Sequence, residues 1–102
     1  YPRYNLIESG SGFRIDIAVP GWNKTELEII ADGEELHIKG NKQHKLDEGE
    51  RFLHQGLSLK SFERRFILNP DLQVKDVNLQ DGLLTIQLTR TPNSKRKILE
   101  IK

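Results

Sequence analysis

No cysteine occurs among the 102 residues, which excludes a disulfide framework and any thiolate metal site, and suits a reducing cytosol. No apolar run approaches the roughly 20 residues that a helix needs to cross a bilayer, so neither a transmembrane helix nor a membrane partner is expected. Neither sign of charge dominates: sixteen basic against fifteen acidic side chains leave a net +1, scattered along the chain. Nucleic-acid binders carry a larger and more clustered basic excess, so no nucleic-acid partner is expected. The run Lys95-Arg96-Lys97 lacks interleaved aromatics and reads as a solvated stretch. No signal-peptide pattern is visible, and the chain opens at Tyr1 without a methionine, as a fragment of a longer protein would. The expected location is cytoplasmic.

Signs of catalysis are equally sparse. His37, His44 and His54 have no metal-ligand spacing and no cysteine partners, so no metal is expected. Ser9-Gly10-Ser11-Gly12 lacks both the G-x-S-x-G order and a Walker lysine, and reads as a turn between strands. Carboxylates are plentiful, but no facing pair is indicated. Asn23-Lys24-Thr25 matches a glycosylation sequon, which carries no meaning without secretion. An enzyme is not expected, and no cofactor is implied.

What the chain does contain is period-2 alternation. Phe13, Ile15, Ile17 and Val19 alternate with polar or small residues before Pro20-Gly21 ends the run. Leu27, Ile29 and Ala31 share one face, Asp32-Gly33 turns, and Leu36 and Ile38 continue inward as a hairpin. Phe62, Arg64, Phe66 and Leu68 fall on one side of a strand closed by Asn69-Pro70. Val77 and Leu79, the turn Asp81-Gly82, then Leu84, Ile86 and Leu88 make a second hairpin, and Tyr4 to Glu8 add a short strand. Helical periodicity is weak, with at most one turn at Asn23 to Glu26. Seven or eight short strands with frequent turns predict an all-β, immunoglobulin-like antiparallel sandwich. Two stretches do not fit a closed core: the polar loop 41–56 with its island Phe52-Leu53, and the tail from Thr91, where Pro92 argues against continued sheet pairing. The division is therefore a sandwich domain over 1–90 and an extension over 91–102.

That extension ends in "KRKILEIK". In an extended segment Leu99 and Ile101 project to one side, roughly 7 Å apart, while Glu100 faces away and Ile98 is out of phase. Such a segment is a two-pronged plug for edge-strand addition, or an ordinary last strand of the sheet.

Four stretches together resemble the α-crystallin domain of small heat-shock proteins, and in particular the bacterial inclusion-body-binding subgroup. "YNLIESGSGFRIDIAVPGWNKTELEI" is similar to the family's opening strands with their A-V-P-G turn. "ERFLHQGLSLKSFERRFILN" resembles the stretch with the dimerising strand and an F-x-R-x-F segment. "VNLQDGLLTIQL" resembles the A-x-x-x-n-G-x-L signature with Val77 for alanine, a change that narrows the groove. Leu99-Glu100-Ile101 resembles the C-terminal I-x-I anchor, with leucine in the first position.

The resemblance implies an ATP-independent holdase, a homodimer that assembles into larger oligomers, captures partly unfolded clients and hands them to ATP-dependent chaperones. It implies a tail-accepting groove between the strands of Ile29 and Ala31 and of Val77 and Leu79, filled by Leu99 and Ile101 of a neighbouring subunit. It further implies a dimer interface in which Arg51, Phe52 and Leu53 of the loop pair with the partner's first strand, near Tyr4 and Leu6. Arg64 takes the family's interface arginine position. Since it interrupts an apolar face, a carboxylate partner is expected for it. The alternative is a monomeric p23/CS co-chaperone adaptor, which shares the architecture but needs neither the long loop nor the tail.

Overall fold

The structure, a computed structural model, describes residues 1–42, 46–56, 60–90 and 97–102; His44, Pro92, Lys95 and Arg96, singled out above, lie outside these. Among the described residues eight strands follow in order: β1 (Tyr4–Ser9), β2 (Gly12–Ala18), β3 (Leu27–Asp32), β4 (Glu35–Gly40), β5 (Phe62–Ile67), β6 (Leu72–Gln80), β7 (Leu83–Arg90) and β8 (Lys97–Leu99). They form two four-stranded sheets, β1-β2-β7-β6 and β5-β4-β3-β8, and every pairing between these strands is antiparallel. The all-β sandwich expected from the alternation is what forms. A single 3₁₀ turn, Lys24–Glu26, accounts for the weak helical signal.

The alternation succeeds because the inward sets of the two sheets meet. Ile15 and Ile17 from β2, Ile29 from β3, Leu36 and Ile38 from β4, and Leu84 and Ile86 from β7 are fully buried and form one cluster. Each is worth about 1.5–3 kcal/mol relative to an exposed side chain. The β6–β7 hairpin turns at Asp81 and Gly82, both with positive φ (52° and 76°), the type I′ geometry that matches strand twist.

Two features depart from the sequence reading. First, β6 begins at Leu72, with Leu72 and Val74 facing inward and Val77 inward again. Those positions are out of phase, and a β-bulge reconciles them: Val74 pairs with Leu88 and Asp76 with Gln87, leaving Lys75 as the extra residue. Second, the tail pairs in the sheet despite Pro92, since β8 adds to β3 and extends the second sheet. Proline removes one donor at its own position, and five residues later the backbone is again able to pair.

Candidate functional site

The residues assigned to the groove and its plug come together within this one chain. β8 runs antiparallel to β3 with Leu99 opposite Ile29, Ile98 opposite Ile30 and Lys97 opposite Ala31. Directly opposed residues share a sheet face, so Leu99 lies on the core side with Ile29. Leu99 and Ile101 are half-buried against the core, as are Ala31 and Leu79, while Ile29 and Val77 belong to the core itself. The tail then reaches the other sheet: the Lys102 N–H donates to the Val77 carbonyl (3.0 Å), and the Lys102 carbonyl accepts from the Leu79 N–H (2.9 Å). One segment thus spans the gap between β3 and β6. The tail lies in the groove of its own chain, where a neighbouring subunit's tail was expected.

The opposite side of the sandwich, between β1 and β5, is open. A cavity of about 160 Å³ there is lined by Leu6, Phe13, Ile15, Phe66, Ile67, Leu68, Asn69, Leu72 and Leu88. Both strands are sheet edges among the described residues. Leu6 is 59% exposed and Ile67 73%, and β1 has no fully buried residue. Tyr4 packs edge-on against Phe66, with ring centroids 5.1 Å apart, which ties β1 to β5 across the sheets.

Arg64 sits at this open side, where the described residues of this chain supply contacts other than the expected carboxylate. Its partners among the described residues are the Pro2 carbonyl, which accepts from Nη2 at 3.2 Å, and the Tyr4 ring, 4.9 Å from the guanidinium carbon. A planar guanidinium stacks on an aromatic face at little desolvation cost, so a half-buried position does not require an ion pair. Its Nε is enclosed and meets no acceptor among the described residues.

Arg51, Phe52 and Leu53 lie in the loop, and residues 46–56 form no strand in this single chain. Leu53 is 90% exposed. The loop's base is fastened, a feature that sequence reasoning missed. The Lys42 ammonium donates to the Gly21 carbonyl (2.7 Å) and to Glu26 Oε1 (2.9 Å), and lies 5.3 Å from the centroid of the Trp22 ring. On the return side, Ser61 Oγ accepts from the Lys42 N–H and donates to Asn41 Oδ1. The Lys42 hydrogen bond, and then the Asn23 N–H, hold the Glu26 carboxyl below its ordinary value. His37, expected to be solvated, is half-buried and bonds Glu35 at 2.8 Å, an interaction that lowers the Glu35 carboxyl as well. Among the described residues no three His, Asp or Glu side chains gather as metal ligands, and no helix is long and apolar enough to cross a membrane.

A two-sheet antiparallel sandwich with a Leu-x-Ile segment laid over the β3/β6 gap defines an α-crystallin-type domain. Residues 5–102 match the Hsp20/alpha crystallin family, and the chain belongs to that family. It is 41% identical over 92 residues to the small heat shock protein IbpA of Klebsiella pneumoniae, covering 88% of this chain and 66% of that one. It is 35% identical over 91 residues to the 16 kDa heat shock protein B of Azotobacter vinelandii, covering 88% of this chain and 62% of the relative. The chain therefore spans a little under two thirds of the length of these relatives. Among solved structures, a small heat shock protein from Synechococcus phage S-ShM2 superposes with a TM-score of 0.78 at 37% identity, covering 99% of each chain. A C-terminally truncated small heat shock protein AgsA from Salmonella typhimurium superposes at 0.79 and 25% identity, covering 97% of this chain and 98% of that one.

Proposed function

We propose that this chain is the chaperone domain of an ATP-independent holdase that binds partly unfolded proteins and prevents their aggregation. The observation that carries the reading is the seating of Leu99 and Ile101 between β3 and β6. A gap flanked by two strand edges and floored by apolar side chains suits an extended segment with two apolar residues at i and i+2. Unfolding proteins expose such segments.

Two contacts build the assembly. In the first, the tail of one subunit leaves its own groove and enters that of a neighbour, repeating the same contact between chains. In the second, Arg51, Phe52 and Leu53 cross to the partner and pair along the free edge of β1, beside Tyr4, Leu6 and Arg64. The exposure of Leu53 and of Leu6, with the fastened base at Lys42 and Ser61, supports this exchange. Dimers so formed join into larger oligomers in the cytoplasm, and clients pass onward to ATP-dependent chaperones. The long loop and the Leu-x-Ile tail favour this reading over a monomeric adaptor.

Deletion of residues 99–102 tests the proposal. Oligomer mass by light scattering should fall, and suppression of client aggregation should change with it. If both remain as in the intact chain, the groove reading fails.

A further inference from the structure

The tail meets β6 through more than its two apolar prongs. Lys102 bonds through its N–H and its carbonyl to the two residues flanking Asn78, which is the pattern of a parallel pair. The segment is thus antiparallel to β3 at Leu99 and parallel to β6 at Lys102. Its side chain turns to the same strand, placing Nζ 3.1 Å from Asp76 Oδ1. That oxygen is enclosed by protein and accepts no hydrogen bond among the described residues, so the facing ammonium is what offsets its charge. Asp76 stands at the bulge in β6, and bulges re-aim side chains at strand edges.

We propose that Asp76, with the main chain from Val77 to Leu79, forms a subsite for a basic residue placed directly after the second apolar prong. The groove then reads Leu-x-Ile-Lys, rather than two apolar positions alone. This rests on the reading of the β3/β6 gap as a segment-binding groove and adds a charge preference to it. The preference works chiefly by exclusion. Lys102 is exposed, so its attraction to Asp76 is modest. An acidic residue in its place sets a like charge toward the Asp76 carboxylate, the repulsive element that specificity needs. Segments ending in Asp or Glu at this position are the ones rejected, and the charge test applies equally to a tail from its own chain or from a second copy.

Amide hydrogen exchange on the full chain reads the subsite directly, because the Leu79 amide is protected by the Lys102 carbonyl. Lys102→Glu should speed exchange at Leu79 about three- to tenfold at low salt, the size expected of losing an exposed pair and gaining a repulsion. The difference should shrink near 1 M salt, where screening acts within about 3 Å. In an Asp76→Asn background, Lys102→Glu should have no effect beyond about twofold. Lys102→Pro, which removes the N–H donated to Val77, should speed exchange at any salt. Equal exchange at Leu79 in Lys102→Glu and the unaltered chain overturns the subsite, as does an undiminished effect in the Asp76→Asn background. Leu99→Ala with Ile101→Ala separates the two levels. If that pair deprotects Leu79 while Lys102→Glu does not, only the subsite fails; if it leaves Leu79 protected, the groove itself fails.

Discussion

Along β3 and β6 the strand edges are bonded to a segment of the chain itself, whereas along β1 and β5 they carry Leu6 and Ile67 over a cavity of about 160 Å³. Both sides are built from the same alternation, and both present apolar side chains at the seam between sheets. They differ in what arrives there. The tail brings two prongs in register with Ile29 and main-chain partners for both sheets. The loop, fastened at Lys42 and Ser61, leaves Leu53 in solvent. An apolar seam is therefore not closed by hydrophobicity alone, since closure also needs a segment with partners for the exposed backbone groups.

Substitutions that empty the sealed side should have the largest effect. Leu99→Ala with Ile101→Ala should cost about 2–4 kcal/mol, less than for fully buried pairs because both side chains are only half-buried. The midpoint of denaturant unfolding measures it, and an unchanged midpoint would mean that the tail contributes nothing to the body. At the open side, Leu6→Glu should leave that midpoint within about 0.5 kcal/mol, as for an exposed residue, while weakening self-association about tenfold. Sedimentation over a concentration series reads the association, and unaltered assembly would remove β1 from the interface.

The clamp at the loop base belongs to neither side and responds to acid. The Glu26 carboxyl is held below 4.5 in the folded chain. Its contribution is therefore fully present above that value and is lost as pH falls through the lower, folded value. Unfolding followed from pH 6 downward should show a step below about pH 4.5 that Glu26→Gln removes. Persistence of the whole step in that variant would assign it to other carboxylates. The smallest effect concerns the tail's phase. Ile98→Ala should reduce oligomer mass less than Leu99→Ala, because Ile98 pairs with Ile30 and Leu99 with the buried Ile29. Equal effects would mean a shifted register.

Alternation made the strands of Phe13 to Val19, Leu27 to Ile38 and Leu83 to Leu88 legible, because each packs one face on the core. The start of β6 was hidden by Lys75, whose extra residue puts Val74 and Val77 out of phase. The groove residues and the prongs were legible as faces, through the i and i+2 spacing. Whose groove the tail enters was not, since alternation specifies a side of a strand and never a partner. Arg64 was legible as an interruption, but its contacts with Pro2 and Tyr4 depend on residues about sixty positions away. Lys42 and Glu26 gave no signal because a clamp of this kind has no period.

The seating of the tail in its own groove bears on any measurement of binding. The tail belongs to the same chain as the groove, so its re-entry is intramolecular and acts at an effective concentration well above that of a dilute guest. On the proposed reading of the groove, a guest segment in solution competes against that standing occupant. Its apparent affinity for the intact chain is then weaker than its intrinsic affinity for an empty groove by the ratio of all molecules to tail-free molecules. Tail release, rather than guest supply, sets how much of the groove is open for capture.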